Sequence, residues 1–146
     1  QPSSEREERK NTLLLIGCAL YGTDKYFFPM DLYMHEMSLA ESVLQIIEEA
    51  ALTQKFTRVK TVWLEIGQLS CVETEAMRFC FDAVMRGSIA EQAKLEIIEV
   101  AGTGWCEQCA GSMPMATLAE ACPKCGNRAL KIRAGDTMRV RELEVE

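Results

Sequence analysis

Residues 105–126 read W-C-E-Q-C-A-G-S-M-P-M-A-T-L-A-E-A-C-P-K-C-G, and this stretch organises the rest of the chain. Two C-x-x-C pairs, Cys106/Cys109 and Cys122/Cys125, stand twelve residues apart. Each pair can fold into a tight knuckle that turns two sulfurs toward one ion, and two knuckles complete a tetrahedron. Gly126 supplies the positive φ such a knuckle needs, Pro123 stiffens the turn, and Gly111 plays a looser version of the same part. So regular a spacing has no packing rationale, and four thiolates suit structural zinc, with rubredoxin-like iron the chemical alternative. Four protein ligands leave no open position for a reacting water, so the ion scaffolds the segment. The apolar residues around it (Trp105, Met113, Met115, Leu118, Leu130, Ile132) are too few to fold it alone.

Strand-like segments flank the cysteines. KLEIIEVAG, 94–102, alternates through Leu95, Ile97 and Val100, and TMRVRELEVE, 137–146, alternates through Met138, Val140, Leu143 and Val145. Residues 102–136 therefore read as a zinc-ribbon insertion between neighbouring strands of one sheet. Upstream, RVKTVWLEIG places Val62, Leu64 and Ile66 on one face and Thr61, Trp63 and Glu65 on the other, which is a third strand. ETEAMRFCFDAVMRG is a helix with Met77, Cys80, Phe81 and Val84 on one side and Gly87 as its stop. Cys80 reads as a small core residue and Cys71 as a turn residue. MHEMSLAESVLQIIEEAA is a second helix, its start expected at a Ser38/Glu41 capping box, its buried stripe formed by Leu39, Val43, Ile46, Ile47 and Ala50. Met34, His35 and Glu36 then fall just before the helix. The expected fold is α+β: a small sheet of about three strands with two helices and the inserted zinc ribbon. Residues 34–101 with 137–146 make one domain and 102–136 the other.

Residues 1–33 read differently. A charged run, EREERK, leads into TLLLIGCAL, but the apolar stretch before Cys18 is short for a secretory signal and the run ahead of it holds three glutamates. An extension of doubtful relevance, with the working start at Met34, is the preferred reading. Composition agrees with a soluble cytoplasmic protein: 48% hydrophobic and 26% charged residues, no stretch able to span a bilayer, and thiolates that need a reducing compartment. With 22 acidic against 16 basic side chains, net charge −6, and no basic stripe in the zinc segment, nucleic acid is a poor partner. No nucleophile–base pair stands out around the lone histidine, so an enzyme is not expected. A homodimer is compatible with the sequence.

That histidine is His35, the second residue of a chain starting at Met34. An imidazole beside a free amine and deprotonable amides makes a planar nitrogen field suited to Ni²⁺ or Cu²⁺. MHEMSLAESVL, LEIGQLS and the two C-x-x-C pairs together resemble the HypA/HybF family of hydrogenase nickel-incorporation proteins, over Met34 to about Glu144. The resemblance implies a nickel metallochaperone that loads the [NiFe] hydrogenase large-subunit precursor beside a HypB-like nickel GTPase, with urease maturation also within the family's range. It implies that His35 is the principal nickel ligand, with Met34 and Glu36 lending backbone nitrogens and Glu73 an acidic residue near the ion. Cys106, Cys109, Cys122 and Cys125 match the family's zinc ligands. Retained residues 1–33 would block the amine of Met34. The competing class is a zinc-ribbon adaptor for protein or nucleic-acid partners, in which His35 is incidental.

Overall fold

The computed structural model describes residues 11–14 and 32–146, with side chains from Glu36 onward. Its elements run β1 (Asn11–Leu14), α1 (Leu32–Gln54), β2 (Val59–Gly67), α2 (Thr74–Met85), β3 (Lys94–Val100), β4 (Thr103–Cys106), β5 (Gly111–Pro114), β6 (Lys131–Ala134) and β7 (Met138–Val145). The architecture is α+β, as expected. A four-stranded sheet has the order β1-β7-β2-β3, and a separate three-stranded sheet has the order β5-β4-β6.

Three features depart from the sequence reading. First, α1 begins at Leu32, not at Ser38. No Gly or Pro interrupts Leu32–Met37, so nothing stops the helix from propagating backward. Ser38 is an exposed interior residue whose carbonyl accepts the Ser42 hydroxyl at 3.0 Å. Met34, His35 and Glu36 are therefore helical rather than pre-helical. Second, the strands that flank the cysteine segment are not neighbours: β2 lies between β3 and β7. Third, β1 adds a fourth strand from the leading extension, antiparallel to β7. The remaining expectations for residues 1–33, and the side chains of Met34 and His35, lie outside the described residues.

The main core forms where the helices lie on the sheet. From α1 come Leu39, Ala40, Val43, Ile47 and Ala50, and from α2 Met77, Cys80, Phe81 and Met85. They cover Val62, Leu64, Ile66, Met138, Val140 and Leu143 of the two central strands. Full burial of a side chain such as Phe81 is worth about 1.5–3 kcal/mol. β2 and β3 are parallel with α2 as their crossover, a β-α-β unit. β7 pairs antiparallel with β2, and the register steps from Trp63↔Glu142 to Leu64↔Val140, so Arg141 is bulged out. That bulge explains the three-residue gap between Val140 and Leu143 in an otherwise alternating strand. Gly87, at φ 74°, follows the Arg86 C-cap of α2 as the sequence suggested.

The two sheets meet at a backbone crossing. Leu69 N–H donates to Gly135 O at 2.6 Å, Met115 N–H to Gly102 O at 2.9 Å, and Gly102 N–H to the Gln68 side-chain oxygen at 3.2 Å. Gly135 has φ 83°, and a Cβ there would stand 2.6 Å from Gly102 Cα. Only glycine lets the chain pass this closely with that backbone.

Candidate metal centre

β4 ends at Cys106, and the turn into β5 carries Cys109. Cys122 and Cys125 sit in the loop that returns toward β6. One sulfur from each of the four residues lies within 4.8 Å of the others. Cys106 and Cys125 are 3.6 Å apart at sulfur, and Cys109 and Cys122 are 3.8 Å apart. A zinc tetrahedron with Zn–S of about 2.3 Å requires sulfurs about 3.8 Å apart, so the four residues fit one such ion.

The knuckles are shaped as the metal requires. Gly126 has φ 76°, and its N–H donates to Cys122 O at 2.8 Å. In the first knuckle the positive φ falls on Ala110, at 49°, the residue directly after Cys109 and so equivalent to Gly126. Gly111 does not carry it; that expectation is corrected by one residue. Asn127 was missed from the sequence. Its side-chain amide donates to Cys106 Sγ at 3.6 Å, its Oδ1 accepts from Ala129 N–H at 3.0 Å, and its carbonyl accepts from Cys122 N–H at 2.8 Å. An Asn just past a C-x-x-C-G turn is the available signal, since Asn side chains favour such local bonds.

Protons divide unevenly among these sulfurs. The Cys106 thiol is drawn down to about 6, first by the Cys109 backbone N–H and then, against burial, by Asn127 and the neighbouring sulfurs. The Cys109 thiol is pushed up to about 12 by its bond to the Cys125 sulfur, by burial and by the other two sulfurs. A divalent cation displaces such protons, and it competes better as pH rises. Around the site Met113, Cys106 and Cys122 form a small cluster with Cys109 and Leu130 packed against it, while Leu118 and Ile132 stay exposed. Arg133 stacks 4.9 Å above the Trp105 ring. With so little apolar burial, the ion is the natural anchor of the second sheet.

Where α1 meets the start of α2, the Glu36 carboxylate is fully buried and accepts the Glu73 N–H at 3.1 Å. Glu73 caps α2: its carboxylate accepts from Glu75 N–H at 3.2 Å and Ala76 N–H at 2.6 Å. The early turns of α1 are thus fastened to the start of α2, by the Glu36 side chain on the Glu73 backbone. Buried Cys80 lies close by, its thiol pushed up by burial and by the Glu36 charge. Cys71 is an exposed turn residue at φ 60°. Neither joins a metal-ligand cluster among the described residues, and no described helix is long and apolar enough to cross a membrane.

A family model described as hydrogenase/urease nickel incorporation, metallochaperone, hypA, matches residues 34–145. The chain is similar to the hydrogenase maturation factor HypA of Albidiferax ferrireducens, 60% identical over 113 residues, 77% of this chain and 100% of that protein. The same factor of Azotobacter vinelandii is 53% identical over the same coverage. The fold is similar to the solution structure of the Ni metallochaperone HypA from Helicobacter pylori, with TM-score 0.58, 24% identity, and 75% of this chain on 96% of that one. A second solution structure of HypA protein gives TM-score 0.57 at 26% identity, covering 77% and 97%. The matched stretch opens on the Met34-His35-Glu36 turn and runs through the four-cysteine site to the penultimate residue; by that match the chain belongs to the HypA hydrogenase/urease nickel-incorporation family, whose members are maturation factors rather than enzymes.

Proposed function

We propose that this protein carries Ni²⁺ at the start of α1 and delivers it to the [NiFe] hydrogenase large-subunit precursor, working in the cytoplasm beside a HypB-like nickel GTPase. The observation that carries the reading is the family match beginning at residue 34, where the chain's one histidine follows directly. His35 supplies the imidazole, and Met34 and Glu36 supply backbone nitrogens, a donor set that favours Ni²⁺ or Cu²⁺. Residues 34–101 with 137–146 form the nickel unit. Residues 102–136 form the zinc unit, in which Cys106, Cys109, Cys122 and Cys125 hold a structural Zn²⁺.

The side chain of Glu36 has a different task. Its carboxylate is committed to the Glu73 N–H in the interior, so it fastens the turn that presents the ion, and Glu73 acts chiefly as the cap of α2. The helical register sets a condition on loading. In a helix beginning at Leu32, the Glu36 amide falls opposite the Leu32 carbonyl. An amide bound to nickel must leave that bond, so loading opens the first turn of α1.

Titration of zinc-loaded protein with Ni²⁺ tests this. One nickel per chain is expected, and His35→Ala should abolish it while the zinc content stays unchanged. Equal nickel binding by the two proteins would overturn the proposal and favour a zinc-ribbon adaptor.

A further inference from the structure

The family match opens at residue 34, so everything ahead of Met34 lies outside it. Two pieces of that leading segment are nonetheless built into the fold. Asn11–Leu14 form β1 beside β7, and Leu32 and Tyr33 are the first two residues of α1.

Those two helical residues change the state of the turn that follows them. A helix leaves its first four N–H groups without a carbonyl four residues back. In a helix beginning at Met34 these would belong to Met34, His35, Glu36 and Met37. In α1, which begins at Leu32, they belong to Leu32, Tyr33, Met34 and His35. The Glu36 N–H is then the first to enter the helical ladder, on the Leu32 carbonyl, and the Met37 N–H the second, on the Tyr33 carbonyl. The Glu36 side chain is fixed as well, buried on the Glu73 N–H. A backbone nitrogen assigned to the ion is thus held by residues that donate no atom to it.

We propose that Leu32 and Tyr33 gate nickel loading, a regulation that rests on the reading of His35 and its neighbouring backbone nitrogens as the carrier site. The turn they add keeps the Glu36 N–H in the helix, and nickel binds the fraction of molecules in which that turn is open. The apparent dissociation constant is the intrinsic one divided by that fraction. On loading, the Glu36 amide releases its proton to solvent and gives its nitrogen lone pair to the ion, and the Leu32 carbonyl turns to water. Blocking of the Met34 amine is a separate effect, the same for any residue at position 33, whereas the gate depends on the helix propensity of residues 32 and 33.

Nickel titration of the full-length, zinc-loaded chain with those two residues varied tests this. Leu32→Gly/Tyr33→Gly weakens the turn through backbone entropy and should tighten binding about fivefold or more. Leu32→Ala/Tyr33→Ala strengthens the turn and should weaken binding about twofold. Hydrogen exchange at the Glu36 amide, followed by NMR without nickel, should be faster in the glycine chain and slower in the alanine chain. Neither pair of substitutions touches a donor atom, and the Met34 nitrogen remains an amide in both. Unchanged zinc content separates a loosened turn from a lost fold. Equal affinities in the native, glycine and alanine chains, or the reverse order, overturn the gate. Where His35→Ala still abolishes binding, the carrier reading then stands without it; if no full-length form binds nickel, both fall.

Discussion

Single residues in this molecule are legible where covalent chemistry or backbone conformation dictates them. The four cysteines were readable from spacing alone, because two knuckles around one ion admit few alternatives, and their sulfurs do converge. Gly126 and Gly87 were readable for the same kind of reason, since both occupy the left-handed region. Ala110 was not, because nothing marks an alanine as left-handed until the second knuckle is compared with the first. An L-residue at that φ costs about 1–2 kcal/mol. Ala110→Gly should therefore leave zinc stoichiometry unchanged and raise the unfolding free energy by about 1 kcal/mol, measured by denaturant titration of the zinc-loaded chain. Glu36 was legible as a motif residue but not as a buried one. A carboxylate three residues before the first buried apolar position gives no sign that α2 will bring a backbone N–H to meet it.

At the scale of elements, hydrophobic period recovered the existence of both helices and the three strands 59–67, 94–100 and 138–145, but not their order. The parallel pairing of β2 with β3 follows from the helix between them, and that crossover places β7 on the far side of β2. The start of α1 was misjudged because a local capping signal at Ser38 competed with six upstream residues that are equally content in a helix. β1 could not be read at all: its four residues pair with a strand more than a hundred positions away. The centre of the sheet carries an ion pair with a clear pH signature. The Arg139 guanidinium bonds both oxygens of Glu65, one at 3.2 Å, with Arg141 3.6 Å away. The bond from Arg139 holds the Glu65 carboxyl below the usual carboxylate range, against the opposing effect of burial. A carboxyl depressed in the folded state contributes stability above its unfolded pKa and loses it as pH falls through the folded value. Glu65→Gln should thus be less stable than the native chain at neutral pH, and the difference should shrink steadily as the solution is acidified below pH about 4. Urea unfolding midpoints across that range check it.

At the scale of the whole molecule, the proposed function assigns the two metals to different parts of the fold. The four cysteines sit in a sheet that has little apolar burial of its own, whereas His35, the proposed nickel ligand, belongs to a helix packed on the main core. The glycine crossing at Gly102 and Gly135 joins the two sheets through close backbone contact. Nickel is soft enough to accept thiolates, so the division of labour is the point at which the assignment is most exposed. X-ray absorption at the nickel and zinc edges of the same doubly loaded sample addresses it. The zinc edge should show four sulfurs at about 2.3 Å, and the nickel edge only nitrogen and oxygen donors, with that signal lost in His35→Ala. Sulfur in the nickel shell, with zinc displaced from the cysteines, would contradict the separation of carrier and scaffold.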